Sequence, residues 1–176
     1  MRFAHLWTAG FSKADKKGTV AFPEVYVGSC TIDMVKTYKY LGVLICNDLN
    51  DNEDLIRQTR NNYARGNMLA RNFKMCSDDV KKQLFKSYMY NMYCANLWST
   101  YTKTVYDKLI ISYNNCFRFL FQYPSYCSAS EMFVSNNVKS FVEIRRNICY
   151  GLLNRINRSN NKYMVAYLNS ECVKKV

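Results

Sequence analysis

Lys36 to Cys46 reads KTYKYLGVLIC, and the chain changes character across it. Upstream, from about residue 24, short runs of β-branched and aromatic residues alternate with turn residues, as strands do. Downstream, apolar residues recur at spacings of three and four, as on the inner face of a helix. The stretch itself reads as one strand from about Tyr38 to Ile45, with Val43, Leu44 and Ile45 as its buried part. Before it, Val25-Tyr26-Val27 and Cys30-Thr31-Ile32 flank Gly28-Ser29, the pattern of a hairpin closed by a two-residue turn. The fold class expected is therefore α+β, mostly α: a small β-hairpin and strand element over about 24–46, then a bundle of four to five helices.

The helical part opens at DLNDNED, whose acids at 48, 51, 53 and 54 suit a helix N-terminus. Ile56, Thr59, Tyr63, Gly66, Ala70 and Phe73 follow at helical spacing and form the expected inner stripe of the first helix. A second helix starts at the N-cap Ser77, with Val80, Leu84, Tyr88, Met92, Ala95 and Trp98 as its buried face. A third spans about Thr104 to Gln122 through Leu109, Tyr113, Cys116 and Leu120, and Pro124 stops it. PSYCSASEMF reads as a loop. Phe141 to Ile156 forms a fourth helix through Ile144, Ile148 and Leu152, and a short fifth is expected over Tyr163 to Leu168. Residues 1–22 carry Gly10, Gly18 and Lys13, Lys16 and Lys17 without periodicity, and read as irregular and unrelated to the rest.

A chain of 176 residues, 49% apolar, is long enough to bury a core of its own. Its formal charge of +12 points to a polyanion, nucleic acid first, because a Lys- and Arg-lined groove gains from counterion release. A plain basic surface with no special partner is the other reading of that charge. Eight cysteines stand at 30, 46, 76, 94, 116, 127, 149 and 172, with no C-x₂₋₄-C pair, and His5 is the one histidine. That spacing speaks against zinc and for reduced thiols, half of them core filler on helices. MRFAHLWTAGF is too short and interrupted for a signal-peptide core, and no window approaches the ~20 apolar residues of a membrane span.

Chemistry finds little to stand on. Asp78-Asp79 is an adjacent carboxylate pair, the group that two-metal nucleotidyl transfer requires, but it sits behind Ser77 and ahead of two lysines, as a helix start does. Asp48, Asn50 and Asn52 copy the first ligands of a calcium loop, yet Glu53 replaces the required glycine and Thr59 the bidentate glutamate. With no Walker loop, GxGxxG, G-x-S-x-G or HExxH either, catalytic and metal-ligating residues are both expected to be none, and no cofactor or small-molecule substrate is implied.

What remains is basic. Between Leu55 and Met75 the first helix carries Arg57, Arg60, Arg65, Arg71 and Lys74 with no acid. Arg57, Arg60, Asn67, Arg71 and Lys74 fall on one stripe, and guanidinium groups one turn apart can follow a phosphate backbone. A merely solvated outer face fits the same pattern. Residues 139–176 hold eight Lys or Arg against two Glu, a second basic region that includes Arg145 and Arg146. The tyrosines sit mostly at core spacing; a minority could stack on bases.

Three blocks, in order, resemble the end of the reverse transcriptase domain of non-LTR (LINE-type) retrotransposons. They are Tyr38-Lys39-Tyr40-Leu41-Gly42-Val43, like that family's KYLGV segment; VKKQLFKSYMYNMYCANLW, from Val80 to Trp98; and NNCFRFLFQYPSYCSASEMF, from Asn114 to Phe133. The likeness continues into FVEIRRNICYGLLNRINRSNN and covers roughly residues 24–170. It implies that 23–46 are residual palm strands ending in the primer grip, and that 47–176 are the helical thumb and C-terminal extension. Lys39, Tyr40, Leu41 and Gly42 would then meet a primer end, with Gly42 letting backbone come close. Arg57, Arg60, Arg71, Lys74, Arg145 and Arg146 would contact phosphates.

The family's palm strand carries an aromatic-x-Asp-Asp motif upstream of KYLGV, and nothing before Lys36 matches it. The resemblance therefore implies a piece without catalytic palm or fingers, and without the Mg²⁺ that the parent polymerase uses. Its expected partner is an RNA–DNA or template–primer duplex, held weakly, together with the parent's missing palm and fingers. No membrane is expected, and the setting would be intracellular, nuclear if the chain acts as the parent element would. The alternative is a basic helical protein-interaction module with no nucleic-acid function.

Overall fold

The computed structural model describes residues 25–164 apart from 28, 33 and 34. The irregular segment expected over 1–22 lies outside the described residues. So does most of the short helix expected near the end, of which a helical turn over 162–164 is described.

The chain divides into two units, Met1–Val35 and Lys36–Val176. The described part of the first is an antiparallel hairpin, β1 (Val25–Val27) and β2 (Cys30–Ile32), in the register Val25↔Ile32. The second begins with another hairpin, β3 (Thr37–Tyr40) and β4 (Val43–Cys46), in a two-stranded sheet of its own. The single strand expected over Tyr38 to Ile45 is thus two strands. Leu41 and Gly42 both take positive φ, 47° and 82°, as a two-residue type I′ turn demands. Asn47 N–H donates to Lys36 O at 3.0 Å, which makes 38↔45 and 40↔43 the hydrogen-bonded pairs of the ladder.

Five helices follow among the described residues, so the architecture is α+β, mostly α: α1 (Asn52–Phe73), α2 (Asp78–Met89), α3 (Lys103–Phe121), α4 (Ala129–Ser135) and α5 (Phe141–Asn157). On α1 the buried positions are Asp54, Leu55, Gln58, Asn62, Gly66 and Leu69. Of the expected stripe only Gly66 is fully buried; Ile56, Thr59, Tyr63, Ala70 and Phe73 flank it. The inner face is set by how closely α3 approaches. A Cβ on Gly66 would land on the Cys116 thiol and 2.8 Å from Cys116 Cβ. One turn earlier, Asn62 Nδ2 donates to Ser112 Oγ at 3.1 Å. Polar residues at such a contact leave no apolar signature.

The α2 face is displaced by one residue as well. Lys81, Phe85 and Met89 are buried, whereas Val80 is 47% and Tyr88 41% exposed. Lys81 lays its stem across the core edge while its ammonium reaches Asp78 at 3.4 Å. The helix ends at Met89, so Met92, Ala95 and Trp98 are buried, as expected, but from an irregular segment over 90–102 in which Cys94 has φ 62°.

On α3, Leu109, Tyr113, Cys116 and Leu120 are buried as expected, and the helix ends with Gln122 left-handed, two residues before Pro124. The loop expected at PSYCSASEMF contains α4, which buries Met132 and Phe133. On α5, Ser140 Oγ caps the helix by accepting from Glu143 N–H at 3.3 Å, and Phe141, Ile144 and Ile156 are buried. The core is aromatic at its centre: Phe85 meets Tyr113 and Phe117 edge-on at 5.2 and 4.9 Å, and Phe133 and Phe141 close around Tyr113.

Candidate nucleic-acid interface

The outward side of α1 is where the sequence concentrates unopposed positive charge. Arg60, Asn67, Arg71 and Lys74 are all exposed there. Arg60 to Lys74 spans about 21 Å at ~1.5 Å per residue, on the order of six base-pair steps of duplex axis. The acids of this helix, Glu53 and Asp54, stand in its first turn.

Arg57, at the head of the stripe, is engaged otherwise. Its Nε and one terminal nitrogen donate to Asp54 Oδ1 at 2.9 and 2.6 Å. Asp54 is wholly buried, and Leu44 N–H of β4 donates to the same Oδ1 at 3.1 Å. Trp98 Nε1 donates to Oδ2 at 2.9 Å. One carboxylate therefore joins the β3–β4 hairpin, α1 and the irregular 90–102 segment. Asp51 adds to the join: its Oδ2 accepts from the N–H groups of Ser99 and Thr100, each at 2.8 Å. Asn52 Oδ1 accepts from Thr102 N–H at 2.9 Å. DLNDNED does start α1, with Glu53 and Asp54 in its first turn, and also clamps this later segment.

The expected primer-grip residues lie at the hairpin tip. Lys39, Tyr40 and Leu41 are exposed, and Gly42 is half-buried against Tyr93, whose Cε1 would be 3.4 Å from a Cβ added there. Gly42 therefore serves the turn and the Tyr93 contact. The tip is tied, through Leu44 and Asp54, to the start of the basic helix.

The C-terminal pair divides. Arg146 is exposed, but the Arg145 guanidinium lies over the rings of Tyr101 and Tyr106 at 5.1 and 5.0 Å. It donates to Tyr101 Oη at 2.6 Å and to Trp98 O at 3.0 Å. Arg65, off the stripe, donates to Tyr88 O at 3.3 Å. The structure thus leaves Arg60, Arg71, Lys74 and Arg146 facing solvent, and engages Arg57 and Arg145 internally. Asp51 and Asp54 were read from the sequence as a helix start and Trp98 as a buried position; that they meet and organise this region was not legible there.

The tyrosines are less buried than their spacing suggested. Tyr113 alone among the described ones is fully buried, and Tyr38, Tyr40, Tyr88, Tyr93, Tyr126 and Tyr150 are exposed. Of the seven described cysteines Cys46 and Cys116 are buried, Cys30 is exposed, and none is bonded to another. Among the described residues no cluster of His, Cys, Asp and Glu could hold a metal ion, and no helix is long and apolar enough to cross a membrane.

Compared with family models, with curated proteins and with solved structures, the chain finds no match.

Proposed function

We propose that this chain binds nucleic acid through the outer face of α1, as the thumb-like piece of an RNA-directed DNA polymerase of the non-LTR retrotransposon kind. The observation that supports this reading is the exposed row of Arg60, Asn67, Arg71 and Lys74, with no acid between Leu55 and Met75 to neutralise it. Phosphate contacts of this kind position a duplex without reading its sequence. The row sits on the element that also holds the KYLGV hairpin through Asp54, so the hairpin and the basic face are joined at one helix.

Polymerase chemistry is not part of the proposal. Phosphoryl transfer by two metals needs closely paired carboxylates on a rigid support. Asp78 and Asp79 instead occupy the exposed first turn of α2, facing Lys81 at 3.4 Å and Lys82 at 3.6 Å. The reading is therefore of a holder of template–primer duplex that does not extend it.

Mobility shift on an RNA–DNA duplex over a range of salt concentrations tests the binding. Three phosphate contacts, from Arg60, Arg71 and Lys74, give a log–log slope of about −3. No binding even at low salt, or binding indifferent to salt, overturns the proposal in favour of a protein-interaction module. Incubation with primed template, dNTPs and Mg²⁺ is expected to give no extension; templated product would overturn that part alone.

A further inference from the structure

The two edges of the β3–β4 hairpin are unlike each other. In the register 38↔45 and 40↔43, the backbone groups of Leu44 point outward from β4 and those of Thr37 and Lys39 point outward from β3. The β4 edge is closed, because Leu44 N–H donates to Asp54 Oδ1 at 3.1 Å. Among the described residues the β3 edge is open: its sheet has two strands there, all four β3 residues are exposed, and Thr37 and Lys39 have no backbone partner. One face beside this edge is apolar, with Tyr38 61% and Tyr40 54% exposed. Along the edge itself stand Lys36 and Lys39, with no acid anywhere from Val35 to Asn47.

From this asymmetry we infer that β3 takes in, by strand addition, an extended segment of a partner protein that alternates acidic and apolar side chains. Main-chain hydrogen bonds to Thr37 and Lys39 would hold the added strand, and side chains at alternate positions would select it. Its apolar residues continue the Tyr38–Tyr40 face, while its acids lie alongside Lys39. A second copy of this chain does not fit. Antiparallel pairing of two β3 strands sets their lysines side by side, and a charge of +12 on each chain opposes self-association. Lysine on an edge opposes strand pairing in general, and acids on the incoming strand offset that charge as opposite-charge cross-strand pairs do. This inference stands apart from the duplex-binding face of α1.

The test uses a fluorescent peptide of alternating valine and glutamate, followed by anisotropy on the full chain. Binding is expected to be at least tenfold tighter than for the same peptide N-methylated at alternate residues. Lys39→Pro removes one outward N–H without touching the β3–β4 ladder, and is expected to lose binding tenfold or more. Should that variant unfold the hairpin, Lys39→Glu keeps the edge and is expected to invert the preference toward a valine–lysine peptide. Equal binding of the N-methylated peptide, unchanged binding by both variants, or a dimer in sedimentation that Lys39→Pro dissolves overturns the inference. So does peptide binding abolished by charge reversal at Arg60, Arg71 and Lys74, which would place the peptide on α1 as a mere polyanion.

Discussion

Asp54 and Trp98 are joined by a 2.9 Å hydrogen bond from the indole N–H to a carboxylate that has no exposed surface. The same carboxylate accepts from Leu44 N–H and from the Arg57 fork, so its lone pairs are matched in a dry setting. A buried charge is tolerable only with such partners. The hairpin, the first helix and the 90–102 segment thus meet at one side chain, with Asp51 and Asn52 adding further ties between the helix and that segment.

Asp54→Ala is expected to destabilise the chain by about 3–5 kcal/mol, since it strands the Arg57 fork and an indole N–H together. Asp54→Asn keeps the shape and part of the hydrogen bonding, and about 1–3 kcal/mol is expected. Urea midpoints measure both. Equal midpoints for the parent and Asp54→Ala would show that the join contributes nothing.

The tip of the second hairpin is strained at a known place. Leu41 at φ 47° bears the left-handed penalty that Asn or Gly avoids, on the order of 1 kcal/mol. Leu41→Asn should therefore stabilise by about 0.5–1 kcal/mol, with the type I′ turn unchanged. Gly42→Ala should do the opposite, because φ 82° suits glycine and the added Cβ stands 3.4 Å from the Tyr93 ring. Opposite signs in a thermal melt are the expected pair of results.

Gly66 lets α1 and α3 touch. An added methyl meets the thiol and, at 2.8 Å, the Cβ of Cys116, so Gly66→Ala is expected to cost about 1–3 kcal/mol despite better helix propensity. Cys116→Ala in the same chain removes the sulfur and should recover part of the loss. A stabilised Gly66→Ala single variant would show that the helices can separate freely.

Alkaline pH should weaken the fold through the same contact. Burial pushes the Cys116 thiol from 9.0 up to about 12, and raises the Tyr113 phenol as well. The folded state thus holds protons that the unfolded chain releases first. The resulting stability is whole below pH 9 and is lost as pH rises from 9 toward about 12. Urea midpoints should fall across that window, and Cys116→Ala should flatten the fall. At pH 8 an alkylating reagent should modify exposed Cys30 and spare Cys116 in the folded protein.

How much of this was legible depended on what fills each inner face. On α3 and α5 apolar residues fill most of the core, and Leu109, Tyr113, Cys116, Leu120 and Ile144 were found by spacing. On α1 and α2 the inner positions hold Gln58, Asn62, Gly66 and Lys81, so the apolar stripe pointed one residue to the side. The turn at Leu41–Gly42 lacks the Asn or Asp that marks most such turns, and the end of α2 has neither Pro nor Gly to announce it. Arg60, Arg71 and Lys74 were legible as an exposed row. The engagement of Arg145 was not, because Trp98, Tyr101 and Tyr106 lie about forty residues away in the chain and meet it only through folding.

That division separates two kinds of arginine by experiment. Charge reversal at Arg60, Arg71 and Lys74 changes exposed groups with no internal partner, so stability should move by less than about 0.5 kcal/mol per site. Affinity for an RNA–DNA duplex should fall at least tenfold at low salt, and the salt slope of about −3 should vanish with the contacts. Arg145→Leu should behave oppositely. It removes two hydrogen bonds and the cation–π contacts with the rings of Tyr101 and Tyr106, with an expected loss of about 1–3 kcal/mol. Below the unfolding range its duplex affinity should match the parent's. Were Arg145→Leu instead to lose affinity while keeping its urea midpoint, the α5 arginines would belong to the binding face, and the interface would extend beyond α1.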